Sequence, residues 1–464
     1  MSSSTSVYAQ RRQRAAAQMQ PGSIAIIPTA PERLRNRDSY FPYRHDSYFY
    51  YLTGFAEPHA VLLLDAGGHS TLFCQPKDLE REIWDGYRLG PAAATEVLGV
   101  DTAWPIGEID TRLPTLLENR EAVWYPFATH EGLALRIEGW LTKVRARARF
   151  GASCPQSQHD ICAILDEMRL VKDGHEIALL RRAGAISARG HLRAMQRSAR
   201  MLAAGDDARE YHLEAELLHE FRQQGAQFPA YSSIVAAGAN ACVLHYRAGD
   251  APLRAGELVL IDAGCEFDSY AGDISRTFPA DGRFGAAQRD LYDLVLASQQ
   301  AAIDATQPGA RFTDPHDATV RVLARGMLDF GLLDANRVGT VDDVIEQRAY
   351  FRFYMHRTSH WMGMDVHDCG SYNEPGEQGQ VQERRDALSG EMVRQRPARI
   401  LRPGMVLTIE PGIYVRAADD VPEAFHDIGI RIEDDALVTE QGHELLTRDV
   451  PVEADAIEDL MRQD

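Results

Sequence analysis

The frame Gly-x5-Asp/Glu-x-Gly occurs twice in this chain of 464 residues, and no other feature constrains the fold as strongly. The first copy runs Gly256-Glu-Leu-Val-Leu-Ile-Asp262-Ala-Gly264, the second Gly404-Met-Val-Leu-Thr-Ile-Glu410-Pro-Gly412. In each, a glycine precedes a mostly apolar run that stops at a carboxylate. A run as apolar as Leu258 to Asp262 predicts a strand covered on both faces. A turn rich in Gly and Asp follows it, and a second strand-like run starts beside Asp273. In the second copy, Gly429-Ile-Arg431-Ile-Glu433 reads as the partner strand, its two-residue period putting Arg431 and Glu433 on one face. Two similar units therefore each deliver two carboxylates.

Carboxylates at a buried strand mouth must be paired, protonated or bound to metal, because an unpaired buried charge is costly. Between the copies lies His356-Arg-Thr-Ser-His360-Trp-Met-Gly-Met-Asp-Val-His367. One histidine from this segment completes an Asp-Asp-His-Glu-Glu set. Such a set cannot ionise in a small volume without counter-charge, and two divalent cations supply it. Ions about 3.5–4 Å apart hold a hydroxide and polarise a carbonyl, so amide hydrolysis is the expected chemistry. An oxygen-rich set with one imidazole suits Mn²⁺ or Co²⁺, with Zn²⁺ also possible. From spacing alone, His245, His356 and His367 are each as readily packed or surface histidines as groups that touch substrate. Arg431 either orients a neighbouring ligand or forms an ordinary ion pair.

The length points to two domains. A formal net charge of −19 argues against nucleic-acid or anionic-membrane partners, which reward Lys and Arg. The six cysteines show no CxxC spacing, so neither a disulfide framework nor a zinc knuckle is expected. No apolar run approaches the roughly 18 residues of a membrane span. Residues 1–31 lack acids and loosely resemble a transit peptide in composition, but they read equally well as a first helix stopped by Pro21-Gly22.

Residues 1–172 alternate strand and helix signals and predict an α/β domain. Strands are expected at Ile24–Ile27 and Val123–Phe127, a hairpin at 60–75, and helices at Leu79–Leu89 and Leu133–Val144. The ring-dense stretch from Phe41 to Phe55 reads as core packing. From 173 to 464 long helices appear at Glu176–Met201, Leu213–Phe221, Gln288–Ala305 and Val320–Phe330, by their apolar spacing. Residues 373–396 are poor in apolar groups and read as a mobile loop at the rim of the site.

At the ligand residues the chain closely resembles the aminopeptidase P family of the pita-bread metallopeptidases. The matching words are Val259-Leu-Ile-Asp262-Ala-Gly, Ala271-Gly-Asp273-Ile-Ser-Arg-Thr-Phe, His356-x-x-Ser-His360-Trp-Met-Gly-Met-Asp-Val-His367-Asp, Met405-Val-Leu-Thr-Ile-Glu410-Pro-Gly and Gly429-Ile-Arg431-Ile-Glu433-Asp-Asp. The likeness extends to Glu82-Ile-Trp84-Asp-Gly-Tyr-Arg-Leu-Gly and so covers nearly the whole chain. It implies an α/β N-terminal domain followed by an α+β pita-bread (creatinase/aminopeptidase-like) catalytic domain. It implies a cytoplasmic homo-oligomeric enzyme, a dimer or tetramer, that removes the first residue from peptides with proline second. Its ligands for two metals, usually Mn²⁺, would be Asp262, Asp273, His360, Glu410 and Glu433, with a bridging hydroxide attacking the Xaa-Pro carbonyl. Glu410 would also shuttle the proton, and His367 would stabilise the tetrahedral intermediate. His245, His356 and Tyr231 would surround the proline ring, and Arg431 and Tyr414 would support the ligands. Trp84 would reach a neighbouring subunit's site.

Two features depart from the family. The 373–396 stretch is longer than expected, and Tyr48 stands where an acidic residue is expected. A prolidase restricted to dipeptides would use the same ligands. A metal-free binding module would have lost some of them, and a methionine aminopeptidase would not need the large N-terminal half.

Overall fold

The computed structural model describes residues 4–463 apart from 378, 387 and 388. The chain divides after Met168 into two units.

The first unit is built on a mixed six-stranded sheet: β1 (Ile24–Pro28), β2 (Val61–Asp65), β3 (Ser70–Cys74), β4 (Thr102–Pro105), β5 (Ala122–Tyr125) and β6 (Ser157–Asp160), in the order β4-β3-β2-β1-β5-β6. β1, β2 and β3 are antiparallel neighbours, and the others join in parallel. The central strands carry apolar residues at nearly every position because both faces are covered. Ile24, Ile26, Leu63 and Phe73 pack with Ile137 and Trp140 of the helix Leu133–Arg145. The aromatic stretch contains a short helix, Ser47–Thr53, capped by Asp46 and ended by Gly54, with Phe49 and Tyr51 buried. Tyr48 donates a 2.5 Å hydrogen bond to Asp166. The helix expected over Leu79–Leu89 is shorter, Leu79–Asp85, since Gly86 leaves the helix at positive φ. It exposes Leu79, Ile83, Trp84 and the following Tyr87.

In the second unit the helix Gly174–Ala204 opens with a capping box, Asp173 and Glu176 each accepting the other's backbone N–H. Helices Glu210–Gln223, Ala286–Ala305 and Asp314–Asp329 fall where the apolar spacing predicts them. β7 (Phe228–Pro229) and β8 (Ile234–Ala237) precede the first copy of the repeated frame. That copy is a bent hairpin of β9 (Leu258–Asp262), β10 (Cys265–Phe267), β11 (Tyr270–Ala271) and β12 (Ser275–Pro279). β9 pairs antiparallel with β12, and β10 with β11. After β13 (Gln382–Arg385) and β14 (Met392–Gln395), the second copy repeats the bend. There β15 (Val406–Ile409) pairs with β18 (Asp434–Val438), and β16 (Gly412–Val415) with β17 (Ile428–Arg431), while β19 (His443–Leu445) extends β18.

Gly256 and Gly404 open their strands at φ of +83° and +91°, which a side chain resists. Gly264 and Gly412 lie at the bends, where the partner backbone comes so close that an added Cβ would strike the carbonyl oxygens of Gly272 and Ile430.

Two expectations are corrected. The segment 429–433 is not the partner of the strand before Glu410. It pairs mainly with β16, after the bend, because Pro411 has no N–H to continue the β15 ladder. Residues 373–396 are not a loop without structure; they contain the antiparallel hairpin β13/β14.

His191, fully buried on the long helix, supports the first bend: its Nε2–H donates to the carbonyl of Ala263 at 2.9 Å, and Nδ1 has no hydrogen-bond partner among the described residues. Burial pushes its pKa down to about 4. The unfolded chain takes up this proton near pH 6.5 and the folded chain does not, so folding stability falls as pH drops between those values. The expected loss is about 1.4 kcal/mol per pH unit from this group. Melts of metal-stripped protein at pH 7 and pH 5 check it: His191→Gln, which keeps the donor but never charges, should lose less stability on acidification than the parent. Equal losses would contradict the assignment.

Candidate metal centre

Each carboxylate of the repeated frame lies at a bend, where a strand leaves one sheet for the next. Asp262 ends β9, Asp273 precedes β12, Glu410 follows β15 and Glu433 precedes β18. The two copies are not identical in phase. In the second, the register brings Glu410 and Glu433 opposite each other, since Ile409 faces Asp434 and Gly412 faces Arg431. In the first, Asp262 faces Ser275, and Asp273 lies one pleat away. Ser275 thus holds the place that Glu433 holds in the other copy, and its hydroxyl donates to Glu433 Oε2 at 2.8 Å.

The five expected ligands converge in one cleft. Ligand atoms of Asp273, His360 and Glu433 all lie within 4.8 Å of one another. The Tyr231 hydroxyl lies within hydrogen-bond reach of Asp262 (2.6 Å) and Asp273, tying these carboxylates together. His360 Nε2 is 3.5 Å from Asp273 Oδ2 and 3.7 Å from Glu410 Oε1. The ring is aimed by its other nitrogen, since Nδ1–H donates to the Trp361 carbonyl at 3.0 Å. The backbone around it is held by Thr408, whose N–H donates to the His360 carbonyl and whose Oγ1 accepts the His360 N–H. Glu410 is placed by its own N–H, which donates to the Thr358 carbonyl at 2.8 Å.

The electrostatics match a cation-binding site. Burial pushes the pKa of Glu410 up to about 7, with the Asp273 and Asp262 charges adding to the rise and His360 opposing it. Burial, then Asp273, Glu410 and Asp262, hold Glu433 well above the carboxylate range. Burial raises Asp273 too. Burial alone would lower His360, but its bond to Asp273 and the Glu410 charge lift it to about 9. Three carboxylates that resist ionising, Asp262 beside them and one imidazole pointed among them are a donor set that fits divalent cations.

A second layer is continuous with the first. Arg431, buried, donates from Nη2 to Asp262 Oδ2 (2.7 Å), from Nε to Ser275 Oγ (2.9 Å) and from Nη1 to the Tyr414 hydroxyl (2.9 Å). Tyr414 in turn donates to His356 Nε2 at 2.8 Å, while His356 Nδ1–H donates to the Arg357 carbonyl. Both nitrogens of His356 are therefore engaged, and burial plus Arg431 push its pKa down to about 3. It presents a neutral ring to the cleft. His367 stands edge-on to His360, ring centroids 4.4 Å apart, and burial followed by the His360 charge lowers its pKa. Tyr231, His245, His356, His367 and Arg431 all line the cleft. Trp84 belongs to the other unit and is 83% exposed.

The reading of the sequence missed three supporting groups: Ser275, Thr408 and Asp435, which accepts the Asp273 N–H at 3.0 Å. Ser275 and Asp435 lie two residues beyond Asp273 and Glu433, so the strand period places them on the ligands' own face. Thr408, two before Glu410, follows the same rule. The cleft encloses about 1240 Å³, above the range of about 300–1,000 Å³ usual for small-molecule clefts.

A pita-bread catalytic unit with oxygen-rich ligands at strand bends defines a metal-dependent peptidase, and the chain belongs to metallopeptidase family M24, whose model matches residues 178–440. The model of the aminopeptidase P N-terminal domain matches residues 8–124. Over 458 residues the chain is 43% identical to the Xaa-Pro aminopeptidase of Escherichia coli, covering 98% of this chain and 97% of that one. The Haemophilus influenzae Xaa-Pro aminopeptidase is 42% identical over 457 residues, 98% and 96% of the two chains. Among solved structures, Pseudomonas aeruginosa aminopeptidase PepP matches with a TM-score of 0.90 and 46% identity over 98% of both chains. Aminopeptidase P from E. coli with the inhibitor Pro-Leu matches at 0.89 and 43%, over 99% of this chain and 98% of that one. Among the described residues no helix is long and apolar enough to cross a membrane.

Proposed function

We propose that residues 173–464 form a dinuclear-metal aminopeptidase that releases the N-terminal residue from peptides with proline second. The observation that carries this is the convergence of Asp262, Asp273, His360, Glu410 and Glu433 in one cleft of a chain similar over its length to Xaa-Pro aminopeptidases. Those five side chains would hold two divalent cations, Mn²⁺ being our choice, and the ions when bound supply Lewis acidity and a nucleophilic water at neutral pH.

The chain's own groups do the rest. Glu410 accepts the proton of the attacking water and passes it to the prolyl nitrogen as the C–N bond breaks. His367 stabilises the charge that develops on the carbonyl oxygen. His356, fixed as a neutral ring by Tyr414 and the Arg357 carbonyl, packs against the proline ring together with His245 and Tyr231. Arg431 and Tyr414 keep Asp262 and His356 in register. A bond before proline has no N–H to grip, so a site that works on the carbonyl and the ring suits it.

We place the enzyme in the cytoplasm as a homo-oligomer in which residues 1–172 serve assembly and substrate access. The exposed Leu79, Ile83, Trp84 and Tyr87 support that reading, with Trp84 completing a neighbouring subunit's site. Side-by-side assays with Mn²⁺ of an Xaa-Pro dipeptide and an Xaa-Pro-Xaa tripeptide test the proposal. Release of the first residue from the tripeptide is expected. Turnover of the dipeptide alone would make the enzyme a prolidase.

A further inference from the structure

The cleft is charged in two layers. Its only acidic lining residues, among those described, are the four carboxylates of the metal centre. Its outer lining is arginine-rich, although the chain carries a formal net charge of −19. The hairpin β13/β14 contributes Arg394, and Arg396 follows directly after it. The root of this hairpin is fixed to the wall of the cleft. Glu374 N–H donates to the Pro397 carbonyl, Arg399 N–H donates to the Tyr372 carbonyl, and Asn373 bridges Ala398. Tyr372 stacks on buried Trp361, beside His360. Arg396 therefore leaves the backbone one residue from an anchored point.

The rim arginines differ in how far they are neutralised. Arg311 is taken by Glu377 at 3.0 Å, and Arg357 lies 3.4 Å from Asp386. Arg394 meets Glu383 only at 3.8 Å with both side chains largely exposed, a pair of little strength. Arg396 is exposed and makes no ion pair among the described residues. A guanidinium held at the mouth of a cleft with no acid of its own is suited to a planar carboxylate on the ligand.

We propose that Arg394 and Arg396 are specificity residues that bind a carboxylate on the substrate, downstream of the scissile bond. This rests on the peptidase reading above, in which the peptide's amino end lies at the metal centre and the chain runs outward. The same chemistry is offered by the C-terminal carboxylate of a short peptide and by an acidic side chain. The hairpin thus favours short free-acid peptides, or longer ones with Asp or Glu near the cut.

The test compares three substrates: an Xaa-Pro-Ala free acid, its C-terminal amide, and an Xaa-Pro-Glu amide. The free acid should show a KM lower than that of the plain amide by about tenfold, the size of one charge-assisted hydrogen bond, with kcat little changed. If acidic side chains are also bound, the Glu amide will recover the gain. An R394Q/R396Q variant should lose the preference while cleaving the plain amide as before, and R394K/R396K should keep part of it. Equilibrium binding of acid and amide to E410Q reads the same preference without turnover. Equal KM and equal binding for acid and amide, or a preference that survives R394Q/R396Q, would overturn the inference. Hydrolysis without the preference removes this proposal alone; a binding preference without hydrolysis removes only the peptidase reading.

Discussion

Asp273→Ala is expected to abolish peptide hydrolysis and lower bound metal while leaving the protein folded. The side chain is buried, lies among His360, Glu433 and Tyr231, and is one of only five expected ligands. Losing the Lewis acid forfeits several kcal/mol of transition-state stabilisation, so a fall in kcat/KM of at least ~10³-fold is anticipated. Stability should move the other way. In the metal-free chain the Asp273 carboxyl resists ionisation through burial and then through the Asp262 charge, so its removal relieves a crowded site. Elemental analysis, turnover and a melt of the stripped variant check all three outcomes. Retained turnover, or a collapse of the fold without metal, would contradict the assignment.

Arg431→Ala should cost both stability and metal affinity. Its guanidinium is the cation facing Asp262 and also holds Ser275 and Tyr414. Removing one member of a buried pair costs about 3–5 kcal/mol, because the other charge is left uncompensated. Metal affinity should fall about 10–100-fold, as it does when groups that orient ligands are lost. The two effects oppose one another when ions are present, since a cation partly replaces the lost charge. The destabilisation should therefore be larger in stripped protein than with Mn²⁺ added. Arg431→Lys should rescue little, because one ammonium cannot reach Asp262, Ser275 and Tyr414 together. Melts with and without metal test this; an unchanged melting temperature in the stripped variant would contradict it.

Both predictions rest on a feature readable before any coordinates: a glycine, an apolar strand and a carboxylate, written twice. Strand position was legible because β9 and β15 bury both faces, and ligand identity because a carboxylate ending such a strand needs a partner. What the sequence did not convey was the path beyond each carboxylate. Whether 429–433 pairs before or after Glu410 depends on Pro411 and on the close approach at Gly412, and both pairings satisfy the same alternation. The one-pleat offset between the copies was likewise hidden, since it lies in cross-strand register. Residues 373–396 misled because a hairpin whose described side chains are mostly exposed has no apolar pattern to announce it. Ser275, Thr408 and Asp435 were within reach of the strand period but looked like ordinary polar residues until their partners were in place.

In the proposed reading, the chain's chemistry depends on two cations held by five side chains, four carboxylates at strand bends and one histidine. Stripping the protein of metal and titrating it with Mn²⁺, while following release of the first residue from an Xaa-Pro-Xaa peptide, tests this most directly. No release without metal and a rise that saturates at two ions per chain are predicted. Full turnover by the stripped protein, or saturation without any dependence on Glu410 and Asp273, would contradict it.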